Sequence, residues 1–148
     1  MKIKALAVSV LLGFSLNSAQ TLASPVDCTR AVERSPIVKK VIYFEVGQFG
    51  LSQDSKKKMD ELIEVVTGNP SLKVCAFGQA DKQGDAESNK KLSLKRAESA
   101  KSYLIKKGLP KNKVETAFRG EAFGSFSLWG TGEKADEDRR VEVSAYSE

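Results

Sequence analysis

The most informative absence in this 148-residue chain is histidine, which does not occur at all. Ser-His-Asp and Cys-His nucleophilic mechanisms need an imidazole base, and most zinc sites use at least one histidine ligand. The composition therefore excludes these enzyme classes. A pair of carboxylates acting on a glycosidic bond is compatible with the composition, but no two acidic residues are marked for that role by their spacing. We expect a protein that is not an enzyme and that carries no metal and no cofactor.

Long apolar runs are also lacking. The most apolar stretch extends from Ala5 to Leu16, after Lys2 and Lys4, and is followed by Thr21-Leu22-Ala23. A transmembrane helix needs about 20 apolar residues, whereas a basic start, a short apolar run and small residues at the end are typical of a secretory signal peptide. The sequence therefore predicts export and no direct membrane insertion. The predicted layout is a signal peptide at 1–23, a leader segment at 24–38 and one domain at 39–148.

Cysteine is scarce, with two residues in the whole chain. A lipid anchor needs a cysteine directly after the cleavage site, but Cys28 is preceded by Pro25-Val26-Asp27, so the pattern favours a free periplasmic protein over a lipoprotein. An even number of cysteines in an oxidising compartment predicts a disulfide between Cys28 and Cys75. The alternative interpretation is that Cys75 is a small buried apolar residue of a strand.

Charge of one sign does not dominate this chain. Without the two lysines of the predicted signal peptide, the formal net charge falls from +5 to +3, and acids are interleaved with lysines along the rest of the sequence. A nucleic-acid partner is therefore not expected. The run Lys56-Lys57-Lys58 is interpreted as the solvated face of a helix, and a basic patch for an anionic polymer is the alternative.

Apolar periodicity predicts strands alternating with helices. Ser52 is suited to cap the first helix, which Gly68-Asn69-Pro70 ends, and Gly108 with Pro110 ends the second. A glycine-rich loop at 120–138 contains Phe123, Phe126 and Trp129, which either pin the loop to the core or form a platform for a sugar. The predicted strands are Val38–Val46, Leu72–Gly78, Val114–Arg119 and Arg140–Tyr146, and the predicted helices begin at Ser52 and after Ser88.

The stretch from Gly78 to Leu104 carries the clearest candidate for a binding site. Asp81 follows the second predicted strand, and Arg96 is expected in the first turns of the next helix, close to its inward-facing stripe. A carboxylate at a strand end and a guanidinium on the facing helix can hold a small zwitterion, since the acid accepts from an ammonium and the arginine grips a carboxylate.

Four ordered motifs in this chain resemble those of the OmpA-like C-terminal domain family, which binds peptidoglycan. The resemblance covers residues 40–146 and implies an α+β fold: a βαβαββ sandwich with a mixed four-stranded sheet and helices packed on one face. The motifs are Gly78-Gln79-Ala80-Asp81, then Asn89 with Leu92, Ser93, Arg96 and Ala97, then Phe118-Arg119-Gly120-Glu121, and finally Asp138-Arg139-Arg140-Val141.

The resemblance implies non-covalent binding of the diaminopimelate-containing stem peptide of peptidoglycan in the Gram-negative periplasm. Asp81 is then expected to accept hydrogen bonds from the ammonium of diaminopimelate, Arg96 to hold its carboxylate, and Asn89 to add a polar contact or orient the loop. Arg139 and Arg140 are carried over as a pair, because the sequence alone leaves open which one faces the ligand.

Two departures from the family pattern support an alternative interpretation. Ala80 replaces a threonine, and Gly47 lies where the family often has an asparagine or aspartate. The alternative is a structural or interaction module of an envelope complex that has lost wall binding. The expected partners are peptidoglycan and an outer-membrane or secretion complex protein, through which the chain would be associated with the outer membrane.

Overall fold

The computed structural model describes residue 28 and residues 35–80, 84–121 and 138–147. Within these residues the chain forms four strands and two α-helices, with a 3₁₀ turn at Lys111–Lys113. The elements, in chain order, are β1 (Val38–Tyr43), α1 (Gln53–Gly68), β2 (Leu72–Ala80), α2 (Ala86–Lys106), β3 (Val114–Glu121) and β4 (Arg140–Ser147). Neither helix in this part of the chain has the length and apolar character needed to cross a bilayer.

The four strands form one mixed sheet in the order β1-β4-β2-β3. β2 and β3 are parallel, which α2 makes possible by crossing between them, and β4 pairs antiparallel with both β1 and β2. Both helices pack on the same face of the sheet. This architecture confirms the predicted α+β fold with helices on one face.

Side chains point alternately to the two faces of the sheet along each strand. Those on one face form the main core together with the helices. Every second residue from Leu72 to Ala76 in β2 and from Val141 to Ala145 in β4 faces the helices, and each of these side chains is fully buried. Burying one Val, Leu or Ile side chain stabilises the fold by about 1.5–3 kcal/mol. The central members of this core are Leu72, Val74, Ala76, Val141, Val143 and Ala145 from the sheet, Met59, Leu62 and Val66 from α1, and Ala97, Ala100 and Leu104 from α2.

The opposite face of the sheet carries a smaller apolar cluster of Cys75, Phe77 and Tyr146, against which Cys28 packs. Cys28 and Cys75 form a disulfide, with 5.6 Å between their Cα atoms and 47 residues between them in sequence. The predicted bridge is confirmed. It fixes Cys28 to the face of the sheet opposite the helices.

Local capping explains where the helices begin. Ser52 accepts a hydrogen bond from the backbone N–H of Ser55 (3.1 Å), as predicted, and α1 starts at the next residue. α2 starts earlier than predicted, because Asp85 accepts from the N–H of Ser88 (2.8 Å) and so caps a helix that begins at Ala86. The expectation that Arg96 lies in the first turns was therefore wrong.

Candidate functional site

The predicted site residues that the structure describes lie on α2 and at the start of β4. Asp81 lies outside the described residues, so its expected pairing with Arg96 stays a prediction. The aromatic residues Phe123, Phe126 and Trp129 also lie outside them. Asn89, Arg96, Arg139 and Arg140 are all described, and three of these four are buried.

Gly78 determines how closely α2 approaches the end of β2. A Cβ atom at this position would lie 1.9 Å from the carbonyl oxygen of Ser93 and 3.3 Å from the Cβ of Ala97. The first distance is shorter than any allowed contact, so the helix backbone rests directly on the strand backbone. This close approach places Arg96, three residues beyond Ser93 in α2, over the last residues of β2.

Arg96 is completely buried and is the largest fully buried side chain of the described residues. Its guanidinium donates to three backbone carbonyls, those of Gln48 (2.9 Å, from Nε), Gln79 (3.2 Å, from Nη1) and Glu45 (3.1 Å, from Nη2). The ring of Phe44 lies 5.2 Å from the guanidinium carbon. A buried cation is costly unless it is hydrogen-bonded, and these contacts with two parts of the chain, the segment after β1 and the end of β2, supply that compensation.

The loop between β1 and α1 receives two of these hydrogen bonds. It makes a tight turn in which the N–H of Gln48 donates to the carbonyl of Glu45 (3.0 Å), and Gly47 has a φ of 68° within it. Asparagine and aspartate tolerate this left-handed conformation better than other non-glycine residues. Gly47 therefore meets the same backbone requirement as the asparagine or aspartate expected after β1. β1 ends at Tyr43, short of the predicted Val46, because this turn follows.

Arg139 and Arg140 have different surroundings. Arg139 is 8% exposed and donates from Nε to the carbonyl of Phe44 (3.2 Å), so it holds the same β1–α1 loop as Arg96. Arg140 instead pairs with Glu142 (3.0 Å) and lies 3.8 Å from Asp138. Of the two arginines, Arg139 is the one that contacts the same loop as Arg96.

Glu142 lies in a cluster of charged residues with Arg140 and Lys39. Partial burial raises the pKa of its carboxyl, but hydrogen bonds from Lys39 and Arg140 more than offset this, so that the pKa of Glu142 lies below its ordinary value. Lys39 contacts Glu142 at 2.6 Å. Arg140 is thus part of an ionised cluster that links β4 to β1, which gives it a structural role.

The N-terminus of α2 supplies the remaining predicted residue. Asn89 is 6% exposed and lies in the first turn of the helix, where its N–H donates to the carbonyl of Asp85 (2.9 Å). The backbone N–H and the hydroxyl of Ser88 hydrogen-bond to the Asp85 carboxylate and lower the pKa of Asp85. This cap fixes the helix end that follows the loop containing Asp81.

A groove of about 640 Å³ opens on the outer side of the β1–α1 loop. Its walls combine the aromatic residues Tyr43 and Phe44, the polar groups of Glu45 and Gln48, and the buried arginine Arg139. Charged groups of both signs next to apolar rings suit a small zwitterionic or amphipathic ligand. The groove therefore offers both polar and apolar contacts to a ligand.

The described candidate residues Asn89, Arg96, Arg139 and Arg140 lie within the span that matches a known sequence family. The sequence profile of the OmpA family matches residues 43–142. The chain belongs to the OmpA family. This finding confirms the resemblance inferred from the motifs.

Two curated relatives and one solved structure illustrate the relationship. This OmpA-family chain is 27% identical over 114 residues to outer membrane protein A from Bordetella avium, covering 74% of the chain and 58% of the relative. It is 26% identical over 80 residues to a peptidoglycan-associated lipoprotein from Rhizobium meliloti, covering 54% and 46%. The chain thus spans about half the length of these relatives. The peptidoglycan-associated lipoprotein of Burkholderia pseudomallei shares the fold, with a TM-score of 0.65 at 19% identity over 72% of this chain and 90% of that one.

Sequence reasoning missed three features of the OmpA-family site. It assigned no role to the backbone carbonyls of the β1–α1 loop, and no side-chain pattern marks them. It did not explain Gly78. It also did not separate Arg139, which contacts the β1–α1 loop, from Arg140, which pairs with Glu142.

Proposed function

We propose that this OmpA-family chain binds peptidoglycan non-covalently, through the diaminopimelate-containing stem peptide, and so anchors itself or an envelope assembly to the cell wall. The observation that carries the proposal is the environment of Arg96. Its buried guanidinium hydrogen-bonds to the end of β2 and to the β1–α1 loop. Relationship to a protein named peptidoglycan-associated lipoprotein supports the choice of ligand.

Diaminopimelate fits a site with an acid and an arginine because its side chain ends in a second amino-acid centre. That centre offers an ammonium and a carboxylate a short distance apart. Asp81 accepts hydrogen bonds from the ammonium, and Arg96 holds the carboxylate. A stem peptide with lysine at this position has the ammonium but lacks the carboxylate, so it satisfies Asp81 and leaves Arg96 without a ligand group.

The burial of Arg96 shapes how a ligand reaches it. Because the side chain has no exposed surface, a carboxylate reaches the guanidinium by replacing a loop carbonyl, either that of Glu45 or that of Gln48. Both residues lie in an exposed loop. A hydrogen bond to an ionised acceptor is roughly twice as strong as one to a neutral carbonyl, which favours the exchange. Wall binding is therefore accompanied by a shift of the β1–α1 loop.

Asn89 and Arg139 complete the proposed site. Asn89, in the first turn of α2, orients the loop that contains Asp81 or contacts the stem peptide. Arg139 holds the other side of the β1–α1 loop through the carbonyl of Phe44 and lines the groove beside it. Arg140, which pairs with Glu142, is not assigned to the ligand.

The test is sedimentation of purified protein with Gram-negative sacculi, followed by titration with a diaminopimelate-containing stem peptide. The Asp81→Ala and Arg96→Ala variants are expected to lose binding, whereas Lys95→Ala, which changes the exposed neighbour of Arg96, should retain it. Leaving one partner of a buried charge pair unsatisfied costs about 2–5 kcal/mol, so the loss should exceed tenfold. Circular dichroism of each variant establishes that the fold is intact.

Two results would contradict the proposal. Equal affinity for the lysine-containing and diaminopimelate-containing peptides would remove the assigned role of Arg96. Release of muropeptides by the wild-type protein, lost in Asp81→Ala, would show an enzyme instead of a binding domain.

The second candidate is a structural or interaction module without wall binding. The three carbonyl contacts of Arg96 favour it, since they give this residue a structural role that needs no ligand. Wild-type protein that fails to sediment with sacculi, and behaves like the Asp81→Ala variant, would support the module.

A further inference from the structure

A second groove lies between the two helices, on the other side of the β1–α1 loop from the proposed wall site. It has a volume of about 610 Å³ and is bounded by the segment from Phe49 to Leu51, the first turn of α1 and one face of α2. Asn89 and Arg139 do not line it. It shares Gly50 and Leu51 with the groove described above, but its lysines do not line that groove.

The floor of this helix groove is apolar. Phe49 is 46% exposed, although it is a large hydrophobic residue next to a packed core. Leu51 and Tyr103 are partly buried beside it, and the hydroxyl of Tyr103 is already bonded to Asp60 (2.9 Å). An exposed aromatic residue set in a concave apolar surface is typical of a place where a partner side chain is buried.

The rim of the helix groove is basic. Lys56, Lys95 and Lys106 line it, and none of the three forms an ion pair with any described residue. Other lysines on the same helices do pair with acids, as Lys101 does with Glu115 (3.1 Å). The side chain of Lys95 lies over the ring of Phe49, 5.5 Å from its centre. One acid, Glu98, lines the groove, so positive charge predominates there.

The spacing of these lysines points to an extended ligand. Lys95 and Lys106 are eleven residues apart on α2, or about 16 Å along the helix axis. A single phosphate is too small to contact both. Between them, Ser99 and Ser102 line the groove, and their small side chains let a second chain approach closely. The lining contains no Asn or Gln of the kind that commonly reads sugar hydroxyls, and a concave surface does not suit a flat bilayer.

We propose that the helix groove binds an acidic peptide segment of a partner protein, which places carboxylates opposite Lys56, Lys95 and Lys106 and an apolar side chain against Phe49. This docking site is a further function, distinct from wall binding. It gives the chain a way to hold another protein while the site at the end of β2 is occupied.

The proposal can be tested with the full chain and a labelled synthetic helical peptide that carries glutamates on one face and two leucines four residues apart. Fluorescence anisotropy would measure its affinity for the wild type and for two double variants. Lys95→Glu with Lys106→Glu alters the groove, whereas Lys57→Glu with Lys91→Glu makes the same change in net charge away from it. The groove variant should bind at least about fivefold more weakly than wild type, and the matched control within about twofold.

Further comparisons separate the possible occupants. A peptide with serines in place of the leucines should bind more weakly, and Asp81→Ala protein should bind the original peptide as well as wild type does. The inference is overturned if the acidic peptide does not bind wild type, if both double variants weaken it equally, or if the serine peptide binds as well. It is also overturned if vesicles of anionic phospholipid compete with the peptide for the same lysines.

Discussion

Replacing Gly78 by alanine should destabilise the fold by opposing the contact between α2 and β2. The added methyl carbon would lie 1.9 Å from the carbonyl oxygen of Ser93 and 2.7 Å from its carbonyl carbon. Both are backbone atoms of a helix interior, so no change of side-chain rotamer relieves the overlap. Gly78 does not have a positive φ, and the predicted cost therefore comes from packing alone.

The magnitude follows from how far the helix must move. To restore an ordinary contact near 3.4 Å, α2 has to retreat from β2 by more than 1 Å, which loosens the packing of Ala97 and the hydrogen bond from Arg96 to Gln79 (3.2 Å). Overpacking a core by one carbon commonly costs about 1–3 kcal/mol and occasionally more. We expect a loss of about 3 kcal/mol in the free energy of unfolding, measured by urea titration with circular dichroism.

Gly68 provides the matched control. It is the last residue of α1, and a Cβ there would meet nothing within 4 Å. Gly68→Ala should leave stability unchanged or raise it by up to about 1 kcal/mol, because alanine is the better helix former. A folded Gly78→Ala protein with wild-type stability would refute the close approach of the two backbones.

Three other predictions concern the disulfide, the cap of α2 and the β1–α1 turn. Reducing the Cys28–Cys75 bridge should lower the free energy of unfolding by up to about 4 kcal/mol for a loop of this length, measured in urea with and without reductant; an unchanged midpoint would contradict it. Hydrogen bonds from Ser88 lower the pKa of Asp85, so Asp85→Ala should be less stable than wild type above the ordinary aspartate pKa of 3.8, and thermal unfolding should show this difference shrinking as pH falls below that value. Gly47→Ala should cost about 1 kcal/mol because of its φ of 68°, while Gly47→Asn should cost less; equal losses in urea titrations would argue against the left-handed turn.

Much of the fold could be predicted from the sequence because its core is periodic. Leu72, Val74 and Ala76 alternate along a predicted strand and so lie on one face of it, and all three are fully buried. Element ends were less predictable, since they depend on single hydrogen bonds such as the one that lets Asp85 begin α2. Several polar residues of one loop can each cap a helix. The sequence alone does not show which of them does so, and the first residue of the helix therefore stays open.

The candidate site was less predictable for a physical reason. The partners of Arg96 are carbonyl groups, which every residue carries, and two of them lie 48 and 51 positions away in the chain. No side-chain pattern distinguishes them until the sheet and helices are assembled. The role of Gly78 could not be predicted for a similar reason. A glycine that permits close packing and a glycine that permits a turn look the same in the sequence.

The position of β4 has a consequence for how this molecule comes together. The final strand of the chain lies between the first two, with a partner on either side. Neither neighbour can complete its ladder until the C-terminal segment arrives, and most of the closing contacts span a large part of the polypeptide. Such long-range topology slows folding, and it makes β4, the last of these four strands in sequence, the strand that joins β1 to the other two.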